Sequence, residues 1–144
     1  MVQKPMVYYC DLNSDPDSGG FVVTVPDLPG VITEGDTKDE ALFNAWEVLN
    51  GVLESMVSHG MPLPEGKECA TEGFFPVNVE PHIISAWELR KLRGDLPQSE
   101  IAKRLGLSYQ AYQRLENPSK GNPTIKTLEK VAKVFGKRLV ISMV

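Results

Sequence analysis

The sequence predicts two small units in series: an α+β unit of β-β-β-α-β order, then an all-helical one. Three observations carry this. Strand-like runs fill much of residues 6–34, whereas apolar residues recur at helical spacing from residue 83 onward. Clusters of Gly, Pro, Ser and Asp separate the runs. Charge also reverses along the chain. Residues 1–80 carry three Lys against fourteen Asp or Glu, net −11, and residues 81–144 carry twelve Lys or Arg against five Asp or Glu, net +7. Such asymmetry points to two domains with different partners, so the boundary is placed at Glu80-Pro81, giving domains 1–80 and 81–144.

Residues 6–13 (MVYYCDLN) are rich in β-branched and aromatic side chains and read as a strand. The cluster Ser14 to Gly20 is a turn, and residues 21–25 (FVVTV) are the returning strand of a hairpin. Gly19-Gly20 belongs to that turn and is no phosphate loop. Pro26-Asp27-Leu28-Pro29-Gly30 makes a second turn, because proline cannot donate to a ladder and glycine accepts positive φ. Residues 31–34 form a short third strand. Thr37-Lys38-Asp39-Glu40 has the form of a capping box. Leu42, Ala45, Trp46, Leu49, Val52, Leu53 and Met56 follow at helical spacing and predict one apolar stripe against the sheet. Gly60, Pro62 and Pro64 end this helix. Residues 74–79 read as a last strand, with Pro76 predicting a sheet edge or a strand start.

Ala86, Leu89 and Leu92 begin the helical half, with a helix ending near Gly94. Further helices are predicted at 98–105, 109–116 and 124–135, the last with Ile125, Leu128, Val131, Ala132 and Phe135 on its inner face. Residues 138–144 (RLVISMV) change to strand-like content. A strand with no partner in a helical domain is a pairing template, so Leu139, Val140, Ile141 and Met143 are expected to join it to a two-fold mate or to the first sheet.

Composition excludes several function classes. No segment approaches the roughly 20 apolar residues that span a bilayer. The first six residues have no apolar core of a secretory signal. Cys10 and Cys69 are far apart and form no CxxC, so isolated thiols in a reducing cytoplasm are expected, with no metal and no cofactor. Asp11, Asp27, Glu34 and Asp36 form no aligned ligand set, His59 and His82 are expected to be unpaired surface residues, and no nucleophile arrangement occurs. An enzyme is therefore not expected.

The strongest chemical signal runs from Leu96 to Asn117. Ala102 is small where two helices approach, Gly106 frees the backbone for a tight turn, and Ser108 can cap the next helix. Tyr109, Gln110, Gln113 and Arg114 then share its exposed face. Gln can pair bidentately with adenine and Arg with guanine.

With Gln98, Ala102, Leu105-Gly106-Leu107-Ser108, Arg114-Leu115-Glu116-Asn117, Asn122-Pro123-Thr124 and Leu128, the segment 84–136 resembles the lambda-repressor-like (Xre-type) helix-turn-helix family. The resemblance implies that Gln98 docks the second helix on DNA, that Ser108, Tyr109, Gln110, Gln113 and Arg114 line the major groove, and that Lys120 meets phosphate. Two positions depart from that family: Pro97 stands where a capping residue is common, and Tyr112 is larger than the usual aliphatic residue.

Residues 6–80 carry Gly20-Phe21-Val22-Val23-Thr24-Val25-Pro26-Asp27-Leu28-Pro29-Gly30, then Thr33, Gly35-Asp36-Thr37, Glu40-Ala41 and Pro62-Leu63-Pro64, and resemble the HicB antitoxin family. The resemblance implies a trimmed RNase-H-like fold without catalytic carboxylates, and a small basic RNA-cleaving partner of the HicA type. Tyr9, Asp11, Asp15, Asp17 and Asp27 are the candidates for covering it, and the net charge of −11 suits such a partner. A homodimer or tetramer on operator DNA is expected. The alternative left open is a stand-alone regulator whose first domain senses a small ligand.

Overall fold

The computed structural model of the protein describes residues 6–66 and 73–143; Cys69 lies outside them. Four strands, β1 (Val7–Ser14), β2 (Phe21–Thr24), β3 (Ile32–Gly35) and β4 (Phe74–Asn78), form one antiparallel sheet in the order β3-β2-β1-β4. In β1, Tyr8 and Cys10 point to the buried face, while Tyr9 and Asp11 point to the other. Tyr8 pairs with Val77 and Leu12 with Val23, so the register carries this alternation across the sheet. As expected, Pro76 lies on an edge strand, since β4 pairs with β1 alone.

Helix α1 (Lys38–Ser58) covers the inner face. The Thr37 hydroxyl accepts from the Glu40 amide at 3.1 Å, which is the expected cap. The buried line differs from the expected stripe: Ala41, Ala45, Leu49, Leu53 and Val57 are buried, whereas Leu42, Trp46, Val52 and Met56 are half-buried flanks. The small Ala41 and Ala45 let the helix approach the sheet closely along that line. Gly35 is required here, because a Cβ on it would strike the backbone of Ala41. The segment after α1 is fastened by Tyr8, whose hydroxyl donates to the Pro64 carbonyl at 2.6 Å.

One buried polar side chain joins three elements. Asn50 donates to the carbonyls of Trp46 and Asn78, each at 3.0 Å, and accepts from the Glu80 amide at 2.8 Å. Both amide hydrogens and the carbonyl oxygen are engaged, which is the condition for burying an amide. Helix α2 (Pro81–Arg93) follows at once, with proline as its first residue, where the missing amide costs nothing.

The compact units run from Met1 to Ile83 and from Ile84 to Val144, just past the Glu80-Pro81 position. The second unit continues with α3 (Gln98–Leu105), α4 (Tyr109–Leu115) and α5 (Ile125–Val134), around a core of Leu89, Ile101, Ala102, Tyr112, Leu115 and Val131. Tyr112 is fully buried, which resolves its departure from the family pattern in favour of packing. One expectation is corrected. Ile125 is 56% exposed, because it opens α5 and its first turn lies outside the core. Residues 137–143 form no strand within the chain, and Val140, Ile141 and Met143 stand exposed. Among the described residues no helix is long and apolar enough to cross a membrane.

Replacing Asn50 by Leu would leave the Glu80 amide and the Asn78 carbonyl without their side-chain partner. The full-length chain should lose about 2–3 kcal/mol in a urea titration, with the loss confined to the transition that reports the sheet.

Candidate nucleic-acid interface and partner-binding unit

The α3–turn–α4 pair is built by local rules. Pro97 precedes α3 and offers no side-chain cap, so that start lacks the bond a Ser or Thr would make. At its far end Gly106 has φ +71°, the Leu107 amide donates to the Ala102 carbonyl at 2.9 Å, and the Gly106 amide donates to Lys103 at 3.2 Å. This Schellman ending requires the left-handed region, which glycine enters without strain. Ser108 then caps α4 by accepting from the Ala111 amide at 3.1 Å.

Beneath this surface lies a polar node that no sequence pattern announced. The Arg93 guanidinium grips Glu116 bidentately, Nε to Oε2 at 2.7 Å and Nη2 to Oε1 at 2.9 Å. Its Nη1 donates to the Leu96 carbonyl at 2.7 Å, and Gln98 Nε2 donates to Glu116 Oε1 at 3.3 Å. The carboxylate is buried, so the pair is desolvated as well as bidentate. It ties the end of α2, the α2–α3 turn and the start of α3 to the end of α4. The partner of Glu116 is thus Arg93, at the end of α2.

That node decides which predicted DNA-facing residues are presented. Tyr109, Gln110, Gln113 and Arg114 are exposed on α4 together with Ser108 at its head. Lys120 is exposed in a loop held by Asn117, whose side chain accepts from the Ser119 amide at 3.0 Å and whose carbonyl accepts from the Lys120 and Gly121 amides. Gln98 is half-buried and engaged with Glu116, so it is set apart from the others as a residue that positions α3 against α4. The remaining six form one polar surface of donors and acceptors with two cations.

The five acidic and aromatic candidates of the first unit are not gathered. Tyr9 and Asp11 lie on the sheet face opposite α1. Asp15 and Asp17 sit in the β1–β2 loop, where Asp15 accepts from the Asp17 amide at 3.0 Å and from the Ser18 hydroxyl at 2.9 Å. Those bonds hold its carboxyl below the usual range. Asp27 lines an apolar groove of about 450 Å³ between the second turn and Pro62-Leu63-Pro64. The two histidines differ from the unpaired expectation: His82 meets Glu54 at 3.4 Å and His59 contacts the Ser55 carbonyl at 2.7 Å. Among the described residues no group of three or more His, Cys, Asp or Glu is placed to hold a metal ion.

Comparison with known proteins divides along the same line as the fold. The family model described as HicB_like antitoxin of bacterial toxin-antitoxin system matches residues 8–73, and the helix-turn-helix model matches residues 88–141. The chain is 29% identical to antitoxin HicB 1 of Photorhabdus laumondii, over 88% of this chain and 81% of that protein. It is 42% identical to a UPF0150 protein of Thermoplasma acidophilum, over 41% of this chain and 84% of that protein. It is also 36% identical to the plasmid copy control protein CopR of Streptococcus agalactiae, over 39% of this chain and 60% of that protein.

Two buried phenols give a paired test. Burial, then the Asp27 charge, pushes the Tyr8 phenol from 10.0 up to about 12. Burial, then the neighbouring Glu116, pushes Tyr112 well above the ordinary range, and its hydroxyl has no hydrogen-bond partner of good geometry. A raised folded pKa means the unfolded chain loses the proton first. Stability should hold below about pH 10 and fall as pH rises beyond it. Tyr8→Phe should cost about 1 kcal/mol at neutral pH through the lost bond to Pro64, whereas Tyr112→Phe should be neutral or stabilising. Urea midpoints between pH 7 and pH 11, with a shallower alkaline fall in each variant, check both.

Proposed function

Because the chain belongs to the HicB-like antitoxin family and carries a helix-turn-helix domain, we propose that its first unit neutralises a small basic RNA-cleaving toxin of the HicA type and that its second represses the operon encoding both. The observation that carries this reading is the union of two opposite chemistries in one chain. The first unit has a net charge of −11 and presents acid to a cationic partner; the second, at +7, presents Gln, Tyr and Arg from a capped helix and Lys from the loop that follows it. We read the first unit as a trimmed RNase-H-like scaffold that binds rather than cleaves. Among the described residues, Asp11, Asp27, Glu34 and Asp36 form no group placed to hold a metal ion.

On DNA, α4 enters the major groove and α3 lies across the backbone. Gln110, Gln113 and Arg114 read base edges, Tyr109 adds an apolar face and a hydroxyl, and Lys120 meets a phosphate. Such domains bind paired half-sites about one turn apart, which requires a dimer. The tail, with half-buried Leu139 and exposed Val140, Ile141 and Met143, supplies the contact by pairing with its two-fold mate. Toxin occupancy then acts on repression through the shared chain.

Co-expression with the product of the adjacent gene, followed by size exclusion and an RNA-cleavage assay, tests the antitoxin half. A stable complex with suppressed cleavage is the expected result. No complex, with DNA binding intact, would select the ligand-sensing regulator, which the apolar groove beside Asp27 favours.

Arg114 and Lys120 should separate sequence readout from charge. Arg114→Ala should cost about 1–3 kcal/mol on the operator and relax its sequence preference. Lys120→Ala should weaken binding to all duplexes alike and lower the salt slope by about one. Fluorescence anisotropy over a range of salt, on operator and scrambled duplexes, measures both.

A further inference from the structure

Helix α1 has an outward face that the fold does not explain. Its inner line is Ala41, Ala45, Leu49, Leu53 and Val57. On the opposite side stand Glu40, Phe43, Glu47, Gly51 and Glu54, which at 3.6 residues per turn fall within a sector of roughly 80°. Three features set that sector apart.

Phe43 is 55% exposed and leans on half-buried Trp46, with ring centroids 5.8 Å apart, so an aromatic pair is shown to solvent. Gly51 lies in the interior of a 21-residue helix, where glycine is unfavourable relative to alanine. A Cβ at Gly51 would meet nothing within 4 Å, so no contact among the described residues requires the glycine. Glu40, Glu47 and Glu54 recur at intervals of seven along the same face. Of these, Glu54 is met by His82 at 3.4 Å. The one cation of α1, Lys38, is drawn aside over the Phe75 ring at 4.3 Å.

A bare backbone spot beside an exposed aromatic, framed by acid, is what a helix needs if another chain is to lie against it closely. Resting on the antitoxin reading above, we propose that the outward face of α1 is the toxin-docking surface. A segment of the basic partner lies along the helix with its backbone at Gly51. It sets an apolar side chain on Phe43 and Trp46, and its Lys or Arg side chains reach Glu40, Glu47 and Glu54. The bare glycine permits the close approach, the aromatic pair supplies the desolvated centre, and the glutamates supply the charged rim.

The test is a substitution whose effects on folding and on binding have opposite signs. Gly51→Gln in the full-length chain should raise Tm, because it replaces a helix-interior glycine and meets open space. It should leave operator binding unchanged and weaken affinity for the co-purified product of the adjacent toxin gene by about tenfold or more. Phe43→Ala should weaken the same affinity comparably with Tm unchanged. Calorimetric titration, thermal melts and DNA anisotropy read the three quantities. Parental affinity for the toxin in Gly51→Gln would overturn the proposal. So would a lowered Tm, which would show that the fold itself needs the glycine, or a loss of self-association, which would assign the face to a second copy of this chain. Failure of the parental chain to bind the toxin would instead defeat the antitoxin reading on which the proposal rests.

Discussion

The helical unit is organised around the need to satisfy one buried carboxylate. Glu116 closes α4, and leaving its charge unpaired in that position would cost several kcal/mol. It is satisfied only when the end of α2 brings Arg93, the start of α3 brings Gln98, and α4 itself turns its last residue inward. The apolar core of Ile101, Ala102, Leu115 and Val131 drives the helices together but is indifferent to small slides between them. The bidentate grip is not indifferent, since a planar guanidinium and a planar carboxylate match in one arrangement. The angle at which α4 presents Tyr109, Gln110, Gln113 and Arg114 follows from that match. Arg93 is thus spent on geometry, which leaves Arg114 and Lys120 for solvent and for whatever binds there.

In the sheet unit the equivalent problem is to hold an edge strand that arrives late in sequence. Strand β4 contains a proline and pairs on one side only, so its ladder alone is weak. Asn50 compensates by reaching from the middle of α1 to the Asn78 carbonyl and the Glu80 amide. The same contact sets where the chain leaves the sheet and starts α2. The two units therefore differ in the origin of their order. In one, a buried ion pair fixes helix angles; in the other, a neutral amide fixes a strand and an exit. Both use a polar group buried with its hydrogen bonds made.

The elements were legible because each rested on local chemistry. Thr37 and Ser108 announce helix starts through the oxygen that caps them, and Gly106 announces a stop through its left-handed φ. Pro76 announced an edge. The face of α1 was less legible: Leu42, Trp46, Val52 and Met56 fit a helical period as well as Ala41 and Val57 do, and hydrophobicity alone does not say that alanines pack closest to a sheet. Ile125 fits the period of α5 too, yet the first turn of that helix overhangs the core.

What the sequence determined by itself is therefore the set of elements, their caps, the two-unit division by charge and the family of each half, since all of these follow from residues near one another along the chain. Only the tertiary structure decided which side chains share a site. It joined Gln98 to the Glu116 node, gave Glu116 to Arg93, and placed Tyr9, Asp11, Asp15, Asp17 and Asp27 over three places. It also left Gly51 open to solvent and Phe43 more than half exposed on the outward face of α1. The reason is physical. Propensity and capping act over one helical turn, whereas a buried charge or an exposed face is defined by what the rest of the fold brings to it.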